Sequence, residues 1–301
     1  MQRKQILAEG GSDKEIRRML RDGWVAPRPG AFVAASDWQR LNDEAKHRAL
    51  VIATLPKLDS NAVMSHASAA VMHGLPILGT PSTTVHVTYN RKSGGSNRLR
   101  LHTHVAPLSD EGSTIIGEVP VTSVARTVLD CACTFDFAAA VAVADNALHR
   151  GLTTKAELEL LLSELGRRVG CGQARRVLSF ADGRSESPGE SWSRVVLWQL
   201  GLPTPDLQFE VRDHRGVLAG RSDFAWKKLR TLGEYDGGVK YGALAETKDD
   251  LRRVLLKERE REMAMVDQRW EMVRWGTADL TNAPRLGARI RATYLRAQRF
   301  C

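Results

Sequence analysis

The sequence lacks several features that mark whole classes of protein. None of its apolar stretches reaches the roughly 18 residues that a membrane-spanning helix needs. No apolar segment follows the basic residues 3–4, as it would in a secretory signal. The four cysteines match no zinc-ligand spacing, and there is no internal repeat. These absences predict a cytoplasmic protein with reduced thiols and no membrane association.

Positive charge is in excess. The 301 residues contain 44 Lys and Arg against 35 Asp and Glu, which gives a formal net charge of +9. Hydrophobic residues make up 43% of the chain and charged residues 26%, a composition that supports buried cores. The length predicts two domains. The basic excess indicates an anionic partner, most commonly nucleic acid, with a membrane surface or solubility alone as alternatives.

Residues 3–35 predict two short helices followed by a small hairpin. Ser12 and Glu15 have the spacing of a capping box at the start of the second helix. The basic residues of that helix lie mostly off its apolar side: Lys14, Arg17, Arg18 and Arg21. This order is typical of a winged helix-turn-helix, in which the helix enters the major groove and Arg28 of the hairpin contacts a phosphate. An ordinary amphipathic helix with solvated charges is the alternative.

The middle of the chain predicts helices over 43–55 and 65–73, then a hairpin that pairs strands 84–89 and 99–105. The basic, Gly/Ser-rich loop 90–98 is either a surface loop or a second phosphate contact. His102 and His104 share one face of their strand and are two candidate metal ligands. His66 and His73 are seven residues apart, and a packing or capping role is predicted for both.

The second half predicts a compact α/β unit. Ser187, Pro188 and Glu190 have the positions of N-cap, N1 and N3 in a helix. Strands are predicted over 208–212, 217–226, 229–235 and 270–275, with a long charged helix over 246–266 and a basic terminal helix over 285–299. The expected fold class is α+β. The expected domains are a winged helix at 1–36, a mixed α/β region at 37–183 and an α/β domain at 184–301.

Acidic residues are concentrated on two of these strands. Asp223 lies on one, and Glu234 and Asp236 leave the same face of the next, just before Gly237. Carboxylates gathered at strand ends are the ligands that Mg²⁺ prefers, so these three are the candidate metal ligands and Mg²⁺ is the expected cofactor. Lys240 is positioned to offset phosphate charge or to help activate water.

Each of these acids also has a structural interpretation. Glu190 is a candidate further metal ligand and equally a helix-capping residue, and Asp236-Gly237 is a common turn dipeptide.

The C-terminal part resembles the restriction-endonuclease-like domain of the PD-(D/E)xK nucleases, in particular those related to very-short-patch repair endonucleases. The resemblance covers about residues 187–280 and rests on Glu190 and the segments GRSDFAW (220–226), GEYDGGVKY (233–241) and WEMVRW (270–275). It implies a catalytic set of Glu190, Asp223, Glu234, Asp236 and Lys240. The sequence differs from the superfamily pattern because Asp236 stands in place of the lysine and Ser222 in place of the proline.

Four segments of the N-terminal half are distinctive: GW (23–24), PGAFV (29–33), SHASAAVMHGLP (65–76) and VPVTSVARTVLD (119–130). Through these segments, the N-terminal half resembles the AbiEi-type antitoxins of type IV toxin–antitoxin systems. The resemblance implies an N-terminal winged helix that binds DNA and represses its own operon, with a cognate toxin as partner.

Three hypotheses follow. The favoured one is a DNA-binding, antitoxin-like transcriptional regulator whose nuclease-fold domain serves recognition or interaction. The second is a metal-dependent DNA endonuclease, in phage defence or repair, that its winged helix targets to DNA. The third is a toxin-neutralising protein in which DNA binding is unimportant.

Overall fold

The computed structural model describes residues 1–79, 81–166, 168–237, 263, 265 and 267–298. The chain divides into two compact units, Met1–Ser179 and Phe180–Cys301. The regions predicted at 1–36 and 37–183 thus belong to the first unit, apart from residues 180–183. Helices and sheets are both present in each unit, which confirms the α+β class.

Two helices and a hairpin begin unit 1: α1 (Arg3–Ala8), α2 (Asp13–Arg21), β1 (Trp24–Arg28) and β2 (Ala31–Ala34). The predicted capping box at α2 is confirmed. The backbone N–H of Glu15 donates to Ser12 Oγ at 3.3 Å, and the N–H of Ser12 donates to Glu15 Oε2 at 2.7 Å. A small core of Ile6, Ile16 and Phe32 holds these elements together.

The rest of unit 1 is built around a six-stranded sheet. Its strands are β3 (Val63–Met64), β4 (Val85–Tyr89), β5 (Ser96–Arg98), β6 (Leu101–Val105), β7 (Ser113–Ile116) and β8 (Val119–Thr122), in the order β5-β6-β4-β3-β8-β7. Its helices are α3 (Ala35–Arg40), α4 (Asp43–Thr54), α5 (His66–Met72), α6 (Val124–Thr134), α7 (Phe137–His149), α8 (Lys155–Leu165) and α9 (Cys171–Phe180), which reaches the boundary. Met64, Val85, Val87 and Val121 are fully buried between sheet and helices.

The predicted hairpin between residues 84–89 and 99–105 is wrong. β4 and β6 are parallel, with Val85 opposite Leu101 and Tyr89 opposite Val105. Parallel neighbours cannot be joined by a tight turn. The chain instead enters the edge strand β5 within the basic 90–98 segment, and β5 pairs antiparallel with β6. Arg100, with φ of +67°, lies in the short turn between them.

Unit 2 contains a four-stranded sheet in the order β12-β11-β10-β9. Its described elements are α10 (Pro188–Gln199), β9 (Asp206–Arg212), β10 (Leu218–Trp226), β11 (Thr231–Tyr235), β12 (Glu271–Trp275), α11 (Thr277–Leu280) and α12 (Ala283–Ala297). Neighbouring strands are antiparallel except β11 and β12, which are parallel. One face packs Phe224, Trp226 and Trp275 with Leu286 and Ile290 of α12.

Most of the predicted helix 246–266 lies outside the described residues. No helix of the described part of the chain is long and apolar enough to cross a membrane. Cys131 and Cys171 are buried, and Cys133 is partly buried.

Candidate functional site

Helix α2 carries a row of exposed basic side chains. Lys14, Arg17, Arg18 and Arg21 are all exposed, at the i, i+3, i+4, i+7 spacing that places them on one face. Ile16 is buried on the opposite side. The helix therefore has an apolar face that anchors it and a basic face open to solvent.

The acidic residues of α2 are held at its ends. Arg3 of α1 donates two hydrogen bonds to the carboxylate of Asp13, from Nε to Oδ1 at 3.0 Å and from Nη2 to Oδ2 at 2.8 Å. Glu15 belongs to the capping box. This pairing lowers the pKa of Asp13, chiefly through the hydrogen bond from Arg3. Asp22, at the C-cap, lies 3.4 Å from Arg18 in an exposed pair. The basic face between these ends keeps its positive charge.

Arg28 does not have the exposed position expected of a phosphate-binding residue. Its side chain is buried, and Nη2 donates to the carbonyl oxygens of Thr83 at 3.1 Å and Arg100 at 2.7 Å. Burial, followed by the charge of Arg100, lowers the pKa of Arg28. Arg28 therefore ties the β1–β2 hairpin to the segments that lead into β4 and β6.

In unit 2, a polar row crosses the four strands. The pairs Phe224↔Gly233 on one side of β10 and Phe224↔Leu207 on the other place Asp223 between Glu234 of β11 and Gln208 of β9. On β12, Arg274 is the register partner of Glu234, and its Nη2 lies 3.1 Å from Glu234 Oε2. The oxygen Oδ2 of Asp223 accepts the backbone N–H of Tyr235 at 2.9 Å.

Glu190 joins one end of this row and also caps its helix. Its Oε2 accepts from the backbone N–H of Glu186 at 2.9 Å and from Gln208 Nε2 at 2.8 Å, and its Oε1 accepts from Ser187 Oγ at 2.7 Å. The backbone N–H of Glu190 donates to Ser187 Oγ. The capping role is thus confirmed, and both carboxylate oxygens are engaged by protein donors.

The expected three-carboxylate metal site is not assembled in this structure. Asp236 follows the end of β11, and its backbone N–H donates to Trp275 O at 2.8 Å. Among the described residues, Asp223, Glu234 and Asp236 do not form a group of three whose ligand oxygens all lie within 4.8 Å of one another. Glu234 is paired with Arg274, so a cation at Glu234 would have to compete with that guanidinium. Lys240 lies outside the described residues, and Mg²⁺ as cofactor stays a prediction.

Histidines gather in unit 1 instead. Within the described ranges, one group of at least three potential ligands has its ligand atoms within 4.8 Å of one another: His66, His86 and His104. His86 Nδ1 lies 3.0 Å from His104 Nε2. The ring of His66 stacks on that of His104 with centroids 3.7 Å apart. The ring of His102 also stacks on that of His104, with centroids 4.0 Å apart.

The three rings of this group are held neutral. Burial is the largest cause, and it lowers the pKa of His66 to about 3 and that of His86 to about 4. Burial and the neighbouring histidines also lower the pKa of His104 well below its ordinary value. Neutral imidazoles have the lone pairs that a metal ion or a hydrogen-bond donor needs.

Comparisons with known proteins give relatives but no function. No family model matches the chain. Two uncharacterized proteins of Mycobacterium tuberculosis, one from strain CDC 1551 and one from strain H37Rv, are each 35% identical to it over 152 residues. The match covers 50% of this chain and 53% of each relative, so the chain spans about half the length of the curated relatives it matches.

The sequence showed part of the histidine group. His102 and His104 were visible as neighbours on one strand face, but His66 and His86 come from α5 and β4. The parallel pairing of β4 with β6 brings His86 opposite His102. The segment SHAS (65–68) places His66 directly after the N-cap serine of a helix, which the sequence does indicate. The sequence does not show that His66 contacts the ring of His104, because that contact depends on the strand order.

Proposed function

We propose that this protein is a DNA-binding transcriptional regulator of the antitoxin type, with α1, α2, β1 and β2 as a winged helix-turn-helix module. The observation that carries the proposal is the exposed row Lys14, Arg17, Arg18 and Arg21 on a helix whose other face is anchored. At 1.5 Å per residue, the nine residues of α2 span roughly 14 Å, a length suited to insertion in the major groove.

Electrostatics give the module its affinity in this proposal. When these four side chains contact phosphates, they displace the counterions condensed on the DNA, so binding weakens as the salt concentration rises. Because Asp13 and Glu15 are engaged at the helix start, they offset little of this attraction at the middle of the face. In this proposal the DNA target is the protein's own operon and the protein partner is a cognate toxin, as the likeness of the N-terminal half to antitoxins implies.

The salt dependence of DNA binding tests the module. Fluorescence anisotropy with a labelled duplex compares the full-length protein with the triple variant Lys14→Ala, Arg17→Ala, Arg18→Ala. The slope of log K against log salt is negative, and each lost phosphate contact reduces its magnitude by about 0.9. Loss of all three contacts should therefore reduce the magnitude by roughly 2.7.

A matched control removes the same charge elsewhere in unit 1. Lys155 of α8 and Arg175 and Arg176 of α9 are exposed, and their triple alanine variant is expected to keep the wild-type slope. Equal losses in both triple variants would show that net charge alone attracts DNA, and the proposal would fail. Thermal unfolding of both variants confirms that they are folded.

A metal-dependent endonuclease is the second candidate, and the opposed positions of Asp223 and Glu234 on adjacent strands favour it. We rank the endonuclease second because Glu234 is paired with Arg274 and Glu190 already accepts hydrogen bonds from protein donors. The test is incubation of the full chain with duplex and single-stranded DNA and Mg²⁺ or Mn²⁺. We expect no cleavage. Cleavage that Asp223→Asn abolishes would establish the nuclease in place of the regulator.

A further inference from the structure

We propose that His66, His86 and His104 form a binding site for a late first-row transition-metal ion of the Zn²⁺ class. The site lies in unit 1, where α5, β4 and β6 each contribute one ligand. It is independent of the carboxylates of unit 2 and of the basic face of α2, and it stands whether or not the protein binds DNA.

The spacing of the ring nitrogens suits a shared metal. Two imidazole nitrogens at about 2.05 Å from a tetrahedral zinc ion are separated by roughly 3.4 Å. His86 Nδ1 and His104 Nε2 are 3.0 Å apart, and the ligand atoms of all three residues lie within 4.8 Å of one another. Because the ring of His66 stacks on that of His104, binding of a shared ion requires at least one of these two rings to turn until both lone pairs face a common point.

A second layer of hydrogen bonds orients the His66 ring. Its Nδ1 lies 2.9 Å from Ser65 Oγ, and Thr88 Oγ1 donates to that same oxygen at 2.8 Å. In the tautomer with the proton on Nδ1, His66 donates to Ser65 Oγ and its Nε2 keeps a lone pair for a cation, and the proposed site uses this tautomer. Metal-binding histidines are typically held in this way, with the second nitrogen donating to an oxygen.

The backbone of His66 is also strained. Its φ of +51° lies in the left-handed region, which residues other than glycine rarely adopt. Such strain has a free-energy cost of order 1–3 kcal/mol and persists where the surroundings fix the conformation. Here it carries the imidazole into contact with the ring of His104.

The donor set selects the class of metal. All three ligands are imidazole nitrogens, which suit Zn²⁺, Cu²⁺, Ni²⁺ and Co²⁺, whereas Mg²⁺ and Ca²⁺ require oxygen ligands. Three protein ligands leave a fourth tetrahedral position for water or another group, as in zinc sites that are not purely structural.

Cobalt titration of the untagged, chelator-stripped full chain tests the site. Co²⁺ in a tetrahedral nitrogen site gives strong visible d–d absorption, and we expect it to saturate at a single equivalent and to be displaced by Zn²⁺. Binding through the cysteines would add a near-ultraviolet cobalt–thiolate charge-transfer band, so the spectrum separates the two sources. Failure of the wild-type chain to bind either metal stoichiometrically would overturn the proposal without recourse to any variant.

Variants then identify the ligands. His104→Gln and His86→Gln should each abolish the cobalt spectrum, while circular dichroism checks that the chain is folded. Ser65→Ala keeps all three ligands, and we expect affinity to fall by about 10–100-fold, the usual effect of losing an outer hydrogen-bond partner. Unchanged affinity in Ser65→Ala would refute the orientation assigned to His66.

Two histidines outside the ligand set serve as controls. His102 stacks beside the group, and His149 is exposed at the end of α7. His102→Gln and His149→Gln should bind cobalt within a few-fold of wild type. A ligand set of His86, His102 and His104, shown by loss of binding in His102→Gln and its retention in His66→Gln, would contradict the proposal.

Discussion

Replacing Arg28 with methionine separates a structural arginine from a DNA-binding one. Methionine keeps an unbranched apolar stem but removes the guanidinium and its bonds to the carbonyls of Thr83 and Arg100. Hydrogen bonds from a charged donor contribute about 1.5–3 kcal/mol each. Part of that gain is offset by the cost of burying a cation.

The acceptors refine this magnitude. The carbonyl of Arg100 also accepts the backbone N–H of Val85 at 3.0 Å, so it retains a partner in the variant. We therefore expect unit 1 to lose about 2 kcal/mol of unfolding free energy, less than the roughly 3–6 kcal/mol of two such bonds, because the cost of burying the cation offsets part of their gain. In a unit of this size, that loss lowers the melting temperature by roughly 4–8 °C.

Differential scanning calorimetry measures this shift, and DNA anisotropy on the same samples measures the salt slope. Arg17→Met is the matched control because Arg17 is exposed on α2. We expect it to change stability by less than about 0.5 kcal/mol and to lower the salt slope by about 0.9. The opposite pattern, with an unchanged melting temperature and a reduced slope for Arg28→Met, would refute the buried position of Arg28.

Three further predictions address packing, charge and pH. Gly189→Ala places a Cβ in steric overlap with the Tyr235 ring, so overpacking should cost unit 2 about 1–3 kcal/mol by calorimetry. Asp130→Asn removes the counter-ion 2.9 Å from the buried Arg126 and should cost unit 1 about 3–5 kcal/mol, whereas Arg126→Met with Asp130→Leu should recover most of that loss in urea unfolding. Burial lowers the pKa of His47, so the unfolded chain takes up this proton first and stability falls as the pH drops below about 6.5. In His47→Gln, unfolding free energy measured from pH 8 to 5 should fall less steeply, by up to about 1.4 kcal/mol per pH unit, and an unchanged slope would contradict a buried neutral ring.

Helix ends were the features most accessible from sequence. Ser12 with Glu15 and Ser187 with Glu190 were predicted as capping pairs, and both form the expected backbone-to-hydroxyl bonds. These bonds join residues three positions apart, so sequence spacing alone determines whether they can form. The strands of unit 2 were predicted for a similar reason, because apolar alternation is a local pattern.

Contacts between distant segments were not accessible in the same way. Arg28 was expected on the surface because the sequence around it is a polar turn, but its acceptors lie 55 and 72 residues away. The pairing of β4 and β6 was predicted as antiparallel because their separation suited a hairpin loop. The intervening β5 changes the direction of the chain, and only a strand order shows this.

Strands β4 and β6 link the two features of unit 1 that carry its proposed chemistry. The carbonyls that hold Arg28 belong to Thr83, two residues before β4, and to Arg100, the residue before β6, while His86 and His104 lie within these strands. The hairpin of the proposed DNA module and two of the three proposed metal ligands therefore share one pair of strands. A variant that loosens this pair, as Arg28→Met does, can disturb both features at once, whereas α2 substitutions such as Arg17→Met leave the strands intact. Loss of cobalt binding in Arg28→Met but not in Arg17→Met would thus reflect the shared strands and would not place Arg28 at either site.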